Sequence, residues 1–415
     1  MNVTIYSPGH PSWNSEVEHM GVRLGAPDNP TLFPYHFLSV VLQRIGGHLV
    51  QVETDGTEAG VGFLFPRRAA DGPAYTLRHH PLAPMDDDAL GQLTAILGSQ
   101  LGAAVHAYDP RGPHTYAPTA VSYGDVEIGR PSAAEAAAVR TVQQTVWGSP
   151  PEFLYPADIH SREFGLPTSL VARVDGQLAG FLFGVDKFGG PALPSDWQER
   201  FDGAHRIESQ TMGVLPEFRG MRIGFLLKRA QAELAWVQGV GIINWTVDPL
   251  QFPNAALNFG LLRAVAYDFY PDLYPFRNEL NRVHASRFAI TWPIGTRHVQ
   301  EVPVFGSRAL ILDLTQHPNI AVVNRSWTDV NYTLANPVLA IQIPADWTGL
   351  QSRDLDEAVA WRAATDRIFQ RYLGRQPGKY VVTGVGIAGE RRYLIAQRVD
   401  DALWENLGRQ DQPPS

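Results

Sequence analysis

The chain contains no cysteine. That excludes disulfide frameworks, thiolate metal sites, iron–sulfur clusters and cysteine nucleophiles together. Lysine is nearly as scarce: Lys187, Lys228 and Lys379 are the only lysines among 34 basic residues. Basic charge as a whole falls short of the 42 acidic residues, for a formal charge of −8. Clustered phosphate contacts, and hence a nucleic-acid partner, are not expected. No run approaches the roughly 18 uninterrupted apolar residues of a transmembrane helix. The segment Met1–Gly9 lacks the basic and apolar regions of a secretory signal. A cytoplasmic protein without a membrane partner is the expectation, and Asn-x-Ser/Thr matches at Asn2, Asn244, Asn324 and Asn331 are then fortuitous. What is present is a globular balance, 44% hydrophobic and 18% charged over 415 residues, enough for two or three domains.

Two segments repeat. Val50–Phe65 reads VQVETDGTEAGVGFLF and Leu170–Phe183 reads LVARVDGQLAGFLF, with Asp55-Gly56 and Ala59-Gly60 aligned on Asp175-Gly176 and Ala179-Gly180. Each is an extended run, an Asp-Gly turn and a second extended run, the signature of a β-hairpin. Each is followed by a strand (Tyr75–Leu82; Arg206–Val214), a helix (Asp87–Leu101; Gly224–Gln238) and a strand ending in Asp-Pro at Asp109 and Asp248. The second copy continues with a helix near Asn254–Val265 and a strand near Arg287–Trp292. The first copy lacks these closing pieces. Near the far end, Val338–Pro344 reads as a strand, Leu355–Leu373 as a helix, and Lys379–Ile387 with Arg391–Arg398 as paired strands. The hypothesis is a split N-terminal domain, with domains at 1–122, 123–297 and a C-terminal β-α-β-β segment, 298–415, that completes the first.

Several motifs are set aside. Gly384-Val385-Gly386-Ile387-Ala388-Gly389 matches a dinucleotide fingerprint, but an extended run follows where a helix N-terminus is required. Asp86-Asp87-Asp88 reads as acidic residues opening a helix rather than a cation site. The histidines are scattered, so no metal site is expected.

The segment with chemical character is residues 207–229, IESQTMGVLPEFRGMRIGFLLKR. A strand ends at Val214, a Pro-containing turn follows, and Arg219-Gly220-Met221-Arg222-Ile223-Gly224 enters an amphipathic helix. Backbone N–H groups at such a helix start make an anion site, and Arg219, Arg222, Lys228 and Arg229 reinforce its sign. A pyrophosphate is the anion this pattern suggests. From Arg206 to Arg229, five basic residues stand against two acidic ones within an otherwise acidic chain.

The run V-L-P-E-F-R-G-x-x-I-G, with the strand ending in W-T-x-D-P-L, resembles the GNAT-type N-acetyltransferase superfamily over residues 125–295, and faintly over 36–110 as a degenerate copy. The resemblance implies an α/β (α+β) fold of tandem GNAT-like mixed β-sheets flanked by helices, and acetyl-CoA as co-substrate. It implies cofactor contacts from Met212, Val214, Arg219, Gly220, Met221, Arg222, Ile223, Gly224 and Asn254. Arg222 stands where the family pattern has its first glycine. The Val214 N–H would bond the acetyl carbonyl. Glu208, six residues earlier, matches the position of the general base in some members. Strand alternation places Glu208, Gln210 and Met212 on one face, and apolar neighbours would raise a glutamate's pKa towards neutrality. The family's general-acid tyrosine is replaced by Leu261, leaving Tyr267, Tyr270 or Tyr274, of which Tyr270 is carried as the candidate.

The N-terminal copy has Met85-Asp86-Asp87-Asp88-Ala89-Leu90 where the central copy has its basic loop, so its carboxylates would repel a pyrophosphate. The function implied is transfer of an acetyl or short acyl group to an amine, small molecule or peptide. Acidic residues of the insertion Lys187–His205 (Asp196, Glu199, beside Trp197) would suit a cationic acceptor. The alternatives are a non-catalytic CoA-binding module and an aminoacyl-tRNA-dependent transferase of similar fold. The sequence leaves the oligomeric state open.

Overall fold

A computed structural model describes residues 1–69, 72–274, 277, 281–300 and 310–410. The chain divides into two compact units: unit 1 is Met1–Gly190 with Ala204–Gln238, and unit 2 is Pro191–Gly203 with Gly239–Ser415. Both combine helices with mixed sheets, as the α/β expectation requires. The division differs from the boundaries 1–122, 123–297 and 298–415.

Unit 1 begins with β1 (Asn2–Tyr6), α1 (Trp13–Arg23), α2 (Leu42–Arg44), β2 (His48–Thr54), β3 (Thr57–Ala69), β4 (Gly72–Pro81), α3 (Asp87–Leu101) and β5 (Ala104–Tyr108). These strands form one sheet in sequence order, antiparallel until β4 and β5, which pair in parallel across α3. Unit 1 continues with β6 (Val121–Tyr123), β7 (Val126–Gly129), α4 (Ala133–Trp147), β8 (Thr168–Val174) and β9 (Gln177–Phe188). After α5 (Trp197–Arg200), which belongs to unit 2, come β10 (His205–Val214) and α6 (Ile223–Val237). Here β6 to β10 are successive antiparallel neighbours.

The two halves of unit 1 therefore share an order, strand–helix–hairpin–strand–helix. Their hairpins turn identically: Asp55 and Gly56 have φ of 51° and 73°, Asp175 and Gly176 49° and 74°. Positive φ at both central residues is what a type I′ turn demands, and Asp-Gly meets it at low strain. The N-terminal core gathers Val50, Val52, Leu64, Leu77, Leu93 and Leu97 between sheet and α3.

Unit 2 contains β11 (Ile242–Val247), α7 (Phe252–Ala255), β12 (Val265–Tyr274), β13 (Ala285–Pro293), α8 (Arg297–Gln300), β14 (Ile311–Asp313), β15 (Ala321–Val322), β16 (Val338–Ile343), α9 (Trp347–Arg353), α10 (Leu355–Tyr372), β17 (Tyr380–Ala388), β18 (Arg391–Arg398) and α11 (Asp401–Gly408). A π-helical turn, Ala256–Leu261, stands where a longer helix was expected. The strand order is β11-β13-β12-β17-β18-β16-β15, with β14 sharing an edge of β17.

This order corrects the split-domain hypothesis. β17 meets β12, at Ala266 opposite Val382, and among the described residues no strand of the C-terminal segment pairs with one from 1–122. Residues 301–309 and 411–415 of that segment lie outside the described residues. The physical reason is β12 itself. Its sequence, VAYDFYPDLY, hides a strand behind Pro271 and two aspartates, with register breaks at Ala266/Asp268 and Tyr270/Tyr274. It supplies the edge that the C-terminal strands take up.

The insertion is likewise reassigned. Trp197 is wholly buried in a unit 2 cluster with Phe201, Tyr267, Leu403, Trp404 and Leu407, its indole edge-on to Trp404 at 5.8 Å. Asp196 pairs with Arg200 one turn on. The segment packs against α11, and Asp196 and Glu199 remain exposed. Trp197→Ala is expected to lower the unfolding free energy by about 3–5 kcal/mol, read from urea denaturation of the full chain.

Candidate functional site

The register of β10 on β9 decides what this strand presents. Ser209 faces Gly184, but Thr211 faces Phe183, so Gln210 is an extra residue in a β-bulge. Directly opposed residues in a sheet share a face. Glu208, opposite Val185, therefore shares its face with Thr211 and Gly213, while Met212, opposite Leu182, lies with Ser209. The expectation of Glu208, Gln210 and Met212 on one face is corrected: the bulge inverts the alternation. Gln210 turns to donate from Nε2 to the Tyr155 hydroxyl at 2.7 Å.

Beyond the bulge, Leu215 N–H donates to Ala179 O at 2.9 Å. Antiparallel ladders alternate bonded and non-bonded pairs. Val214, opposite Gly180, and Met212, opposite Leu182, are then non-bonded pairs, and their N–H groups point away from β9. Gly180 is required beneath this point, because a Cβ there would lie 2.7 Å from the Gly213 carbonyl oxygen.

The next loop is exposed from Arg219 to Arg222 and turns inward at Ile223. Gly220 has φ 90°, and Arg222 is the N-cap of α6 with φ 61°. No side chain caps α6. Its first helical bond is Leu226 N–H to Arg222 O, 3.1 Å, so the Ile223, Gly224 and Phe225 N–H groups head the helix dipole without intrahelical acceptors. The Arg222 guanidinium lies over the Phe225 ring at 5.1 Å. A glycine is usual at this place because the left-handed conformation strains any other residue, by about 1–2 kcal/mol. Arginine accepts that strain and adds a positive charge.

The first half of unit 1 differs at the matching points. In the register that aligns Gly60 with Gly180, Pro81 takes the place of Val214, and proline has no N–H to offer. The matching helix, α3, is closed by the Asp86 carboxylate, which accepts from Ala89 N–H at 2.8 Å.

Glu208 is buried, and its surroundings are charged rather than apolar. Its Oε2 accepts from Lys187 Nζ at 2.6 Å, both side chains at most 7% exposed. Lys228, buried on α6, donates to Ser209 Oγ at 2.7 Å. Burial pushes the Lys228 ammonium well below its ordinary pKa, with Glu208 opposing. Burial also lowers Lys187, again against Glu208. Beside them, Asp186 Oδ1 meets His205 Nε2 at 2.6 Å, and Arg68 Nη1 meets His205 Nδ1 at 3.1 Å. Sequence reasoning missed Lys187 as the partner of Glu208. The available signal was the rarity of lysine: two of three lie within this cluster. His160 is enclosed nearby, with Nδ1 2.8 Å from Ser169 Oγ, and burial lowers its pKa to about 4.

Asn254 and Tyr270 belong to unit 2. Asn254 is an exposed residue of α7, whose N-cap is Gln251. Tyr270 is a half-buried β12 residue opposite Arg287. Of the other tyrosines, Tyr267 is packed in the core and Tyr274 O–H lies 2.9 Å from Thr246 Oγ1. The unit 1 arrangement is thus built from Met212, Val214 and the loop Arg219–Gly224, with Glu208 upstream on the same strand. Among the described residues, no group of three or more His, Asp or Glu could hold a metal ion, and no helix is long and apolar enough to cross a membrane.

No protein-family model matches the chain, and no curated protein matches it in sequence. Solved structures similar to it include Ard1 from Thermoplasma volcanium, at 19% identity and TM-score 0.29, covering 40% of this chain and 97% of that one. Another is Naa50 from Arabidopsis thaliana in complex with a bisubstrate analogue, at 14% identity and TM-score 0.29, covering 40% and 98%. A third is the diaminobutyrate acetyltransferase EctA from Paenibacillus lautus, in complex with L-2,4-diaminobutyric acid and coenzyme A. It shows 15% identity and TM-score 0.30, covering 41% and 97%. Likeness at this level assigns this chain neither a substrate nor a residue role.

Two outcomes are expected. Arg222→Gly should hold stability or raise it by up to about 1 kcal/mol, the relieved strain offset by a more flexible unfolded chain. Arg222→Val should lower it, because a β-branched side chain tolerates positive φ less well than arginine. Urea midpoints check both. For His160, an unfolded ring protonates near 6.5 and the buried ring only near 4. The unfolded state therefore binds more protons between these values, and stability is lost as pH falls from about 6.5 to 4. Ring resonances of His160 in NMR should show no titration above pH 5.

Proposed function

We propose that the chain is an acyltransferase that moves an acetyl or other short acyl group from coenzyme A to an amine. The observation carrying this reading is the uncapped start of α6, with exposed Arg219 and Arg222, immediately beyond a strand whose Val214 N–H points away from β9. The residues fit a pyrophosphate: three amides, two guanidiniums and Gly220 face one short loop. Arg219, Gly220, Met221, Arg222, Ile223 and Gly224 would hold the pyrophosphate, and Met212 and Val214 N–H groups the pantetheine and acyl carbonyl. When bound, coenzyme A supplies the acyl group as a thioester. Val214 N–H would stabilise charge on the acyl oxygen, and Glu208 would accept the acceptor's proton, with Lys187 orienting its carboxylate. Asn254 is proposed for cofactor contact and Tyr270 for acid catalysis.

The first half of unit 1 is proposed as a degenerate copy. Pro81 lacks the carbonyl-binding amide, and Asp86 already fills the helix start that an anion would use. A second reading, a coenzyme A-binding module without turnover, is favoured by one observation, the engagement of Glu208 by Lys187. For the acyltransferase reading, the acceptors are amines of small molecules or peptides, in a cytoplasmic setting.

Arg219→Ala should weaken coenzyme A binding at least tenfold by calorimetry. Glu208→Gln should lower kcat about 100-fold across an amine panel, with coenzyme A affinity within threefold and an unchanged circular dichroism spectrum. Tight coenzyme A binding with no turnover of any amine would favour the binding module. No coenzyme A binding would overturn both readings.

A further inference from the structure

In the acyl-transfer reading, the acceptor's nitrogen lies between the Glu208 carboxylate and the Val214 N–H. On the face of β10 that carries Glu208, the residues between these points are Thr211 and Gly213. What stands over them is aromatic. A Cβ on Gly213 would lie 2.8 Å from Phe181 Cε1 and 3.5 Å from Trp147 Cη2. Those two rings meet edge to face, 5.8 Å apart at 84°. Thr211 lies opposite Phe183, whose ring meets Tyr155 at 5.0 Å and His160 at 5.6 Å.

The connection from α4 to β8, residues 148–167, supplies the rest of the wall. The bulge residue Gln210 ties it to β10 through the Tyr155 hydroxyl. His36 Nε2 stands 3.4 Å from the same oxygen, and its ring lies 6.0 Å from Phe153. Phe181, Phe183 and Tyr155 are buried, whereas Trp147, Phe153, His36, Gln210 and Thr211 are each half-buried. The part that solvent reaches is therefore made of ring edges and neutral polar groups. His36 belongs to it uncharged at neutral pH, since burial lowers its pKa to about 4.

Six acidic residues occur on α4, β9, β10 and this connection, and five are engaged. Glu135 accepts from Arg173 at 2.9 Å, and Glu163 from Thr115 N–H at 3.0 Å. Asp158 accepts from Arg78 at 3.1 Å and from the Tyr108 hydroxyl at 2.7 Å. Asp186 meets His205, and Glu208 meets Lys187. The sixth, Glu152, is exposed beside Phe153, where water leaves an ion pair little strength. A second ammonium on the acceptor would find no buried carboxylate to replace its hydration. An aromatic carrier instead meets ring edges that favour T-shaped contact, and aromatic faces attract its single ammonium before the proton leaves.

We infer that the acceptor is an amine of single positive charge on an aromatic carrier, which packs against Trp147 and Phe153 over β10. The inference rests on the acyl-transfer reading for the place of the nitrogen.

The test uses the full chain with phenethylamine as aromatic probe, putrescine as a dication and methylamine as the bare amine, at constant ionic strength. Binding is read without turnover from the indole N–H resonance of Trp147, assigned by its loss in Trp147→Phe. Transfer is read from release of coenzyme A. Phenethylamine should shift that resonance saturably, and putrescine should not. With acetyl-CoA, kcat/KM for phenethylamine should exceed that for putrescine at least about tenfold. Phe153→Ala should lower kcat/KM for phenethylamine at least about fivefold more than for methylamine, chiefly through KM. Where that variant does not fold, Phe153→Leu should show the same selective loss. Putrescine used as well as phenethylamine, or equal losses for phenethylamine and methylamine, would overturn the inference and leave acyl transfer standing. Phenethylamine bound at Trp147 without transfer to any amine would support the aromatic site and overturn the acyl-transfer reading. Neither binding nor transfer would overturn both.

Discussion

A single extra residue in β10 governs the chemistry that unit 1 can present. Without the bulge at Gln210, Glu208 and Met212 would share a face, and the amides beyond them would fall into the opposite phase against β9. With it, Glu208 lies with Thr211 and Gly213, and the Met212 and Val214 N–H groups turn away from β9. Gly180 makes this register obligatory at the strand's end, since no side chain fits under the Gly213 carbonyl. Backbone donors placed by a ladder are rigid in a way that side-chain donors are not. A site built on them needs no rotamer to be fixed.

The charges of the same unit follow a second constraint, that a buried ion must be partnered. Glu208, brought inward by the strand, is met by Lys187 on the neighbouring strand two residues from its opposite position. Lys228 reaches the other face of β10 through Ser209. Two of the three lysines stand here, together with Arg206, 1% exposed on β10 directly opposite Lys187. In unit 2, arginines stack on Trp347 and Tyr274.

Much of this was legible in the sequence, and the rest fails for identifiable reasons. The two hairpins were readable because Asp-Gly is nearly obligatory where two successive residues need positive φ. The basic loop and its helix were readable because Arg219–Gly224 ends where amphipathic spacing begins. The bulge was not, because E-S-Q-T-M alternates acceptably without one and only the partner strand reveals the slip. The Lys187–Glu208 pair was hidden by a separation of 21 residues. The C-terminal strands were found, but not their neighbour. Their apolar residues serve either face, and β12 was concealed by Pro271 and its aspartates.

The two halves of unit 1 show how little separates a scaffold from a site. They share hairpin turns, a strand after the hairpin and a helix after that strand. They differ at Pro81 against Val214 and at Asp86 against the uncapped Arg222. Each N-terminal choice is the more stable one locally: a proline ends a strand without leaving an orphan donor, and an aspartate caps a helix by about 1 kcal/mol. The central choices leave the first amides of α6 without intrahelical acceptors or a side-chain cap, and one arginine strained. Local instability of that kind, concentrated at one helix start and absent from its structural twin, is the physical argument for reading the central loop as a place where an anion binds.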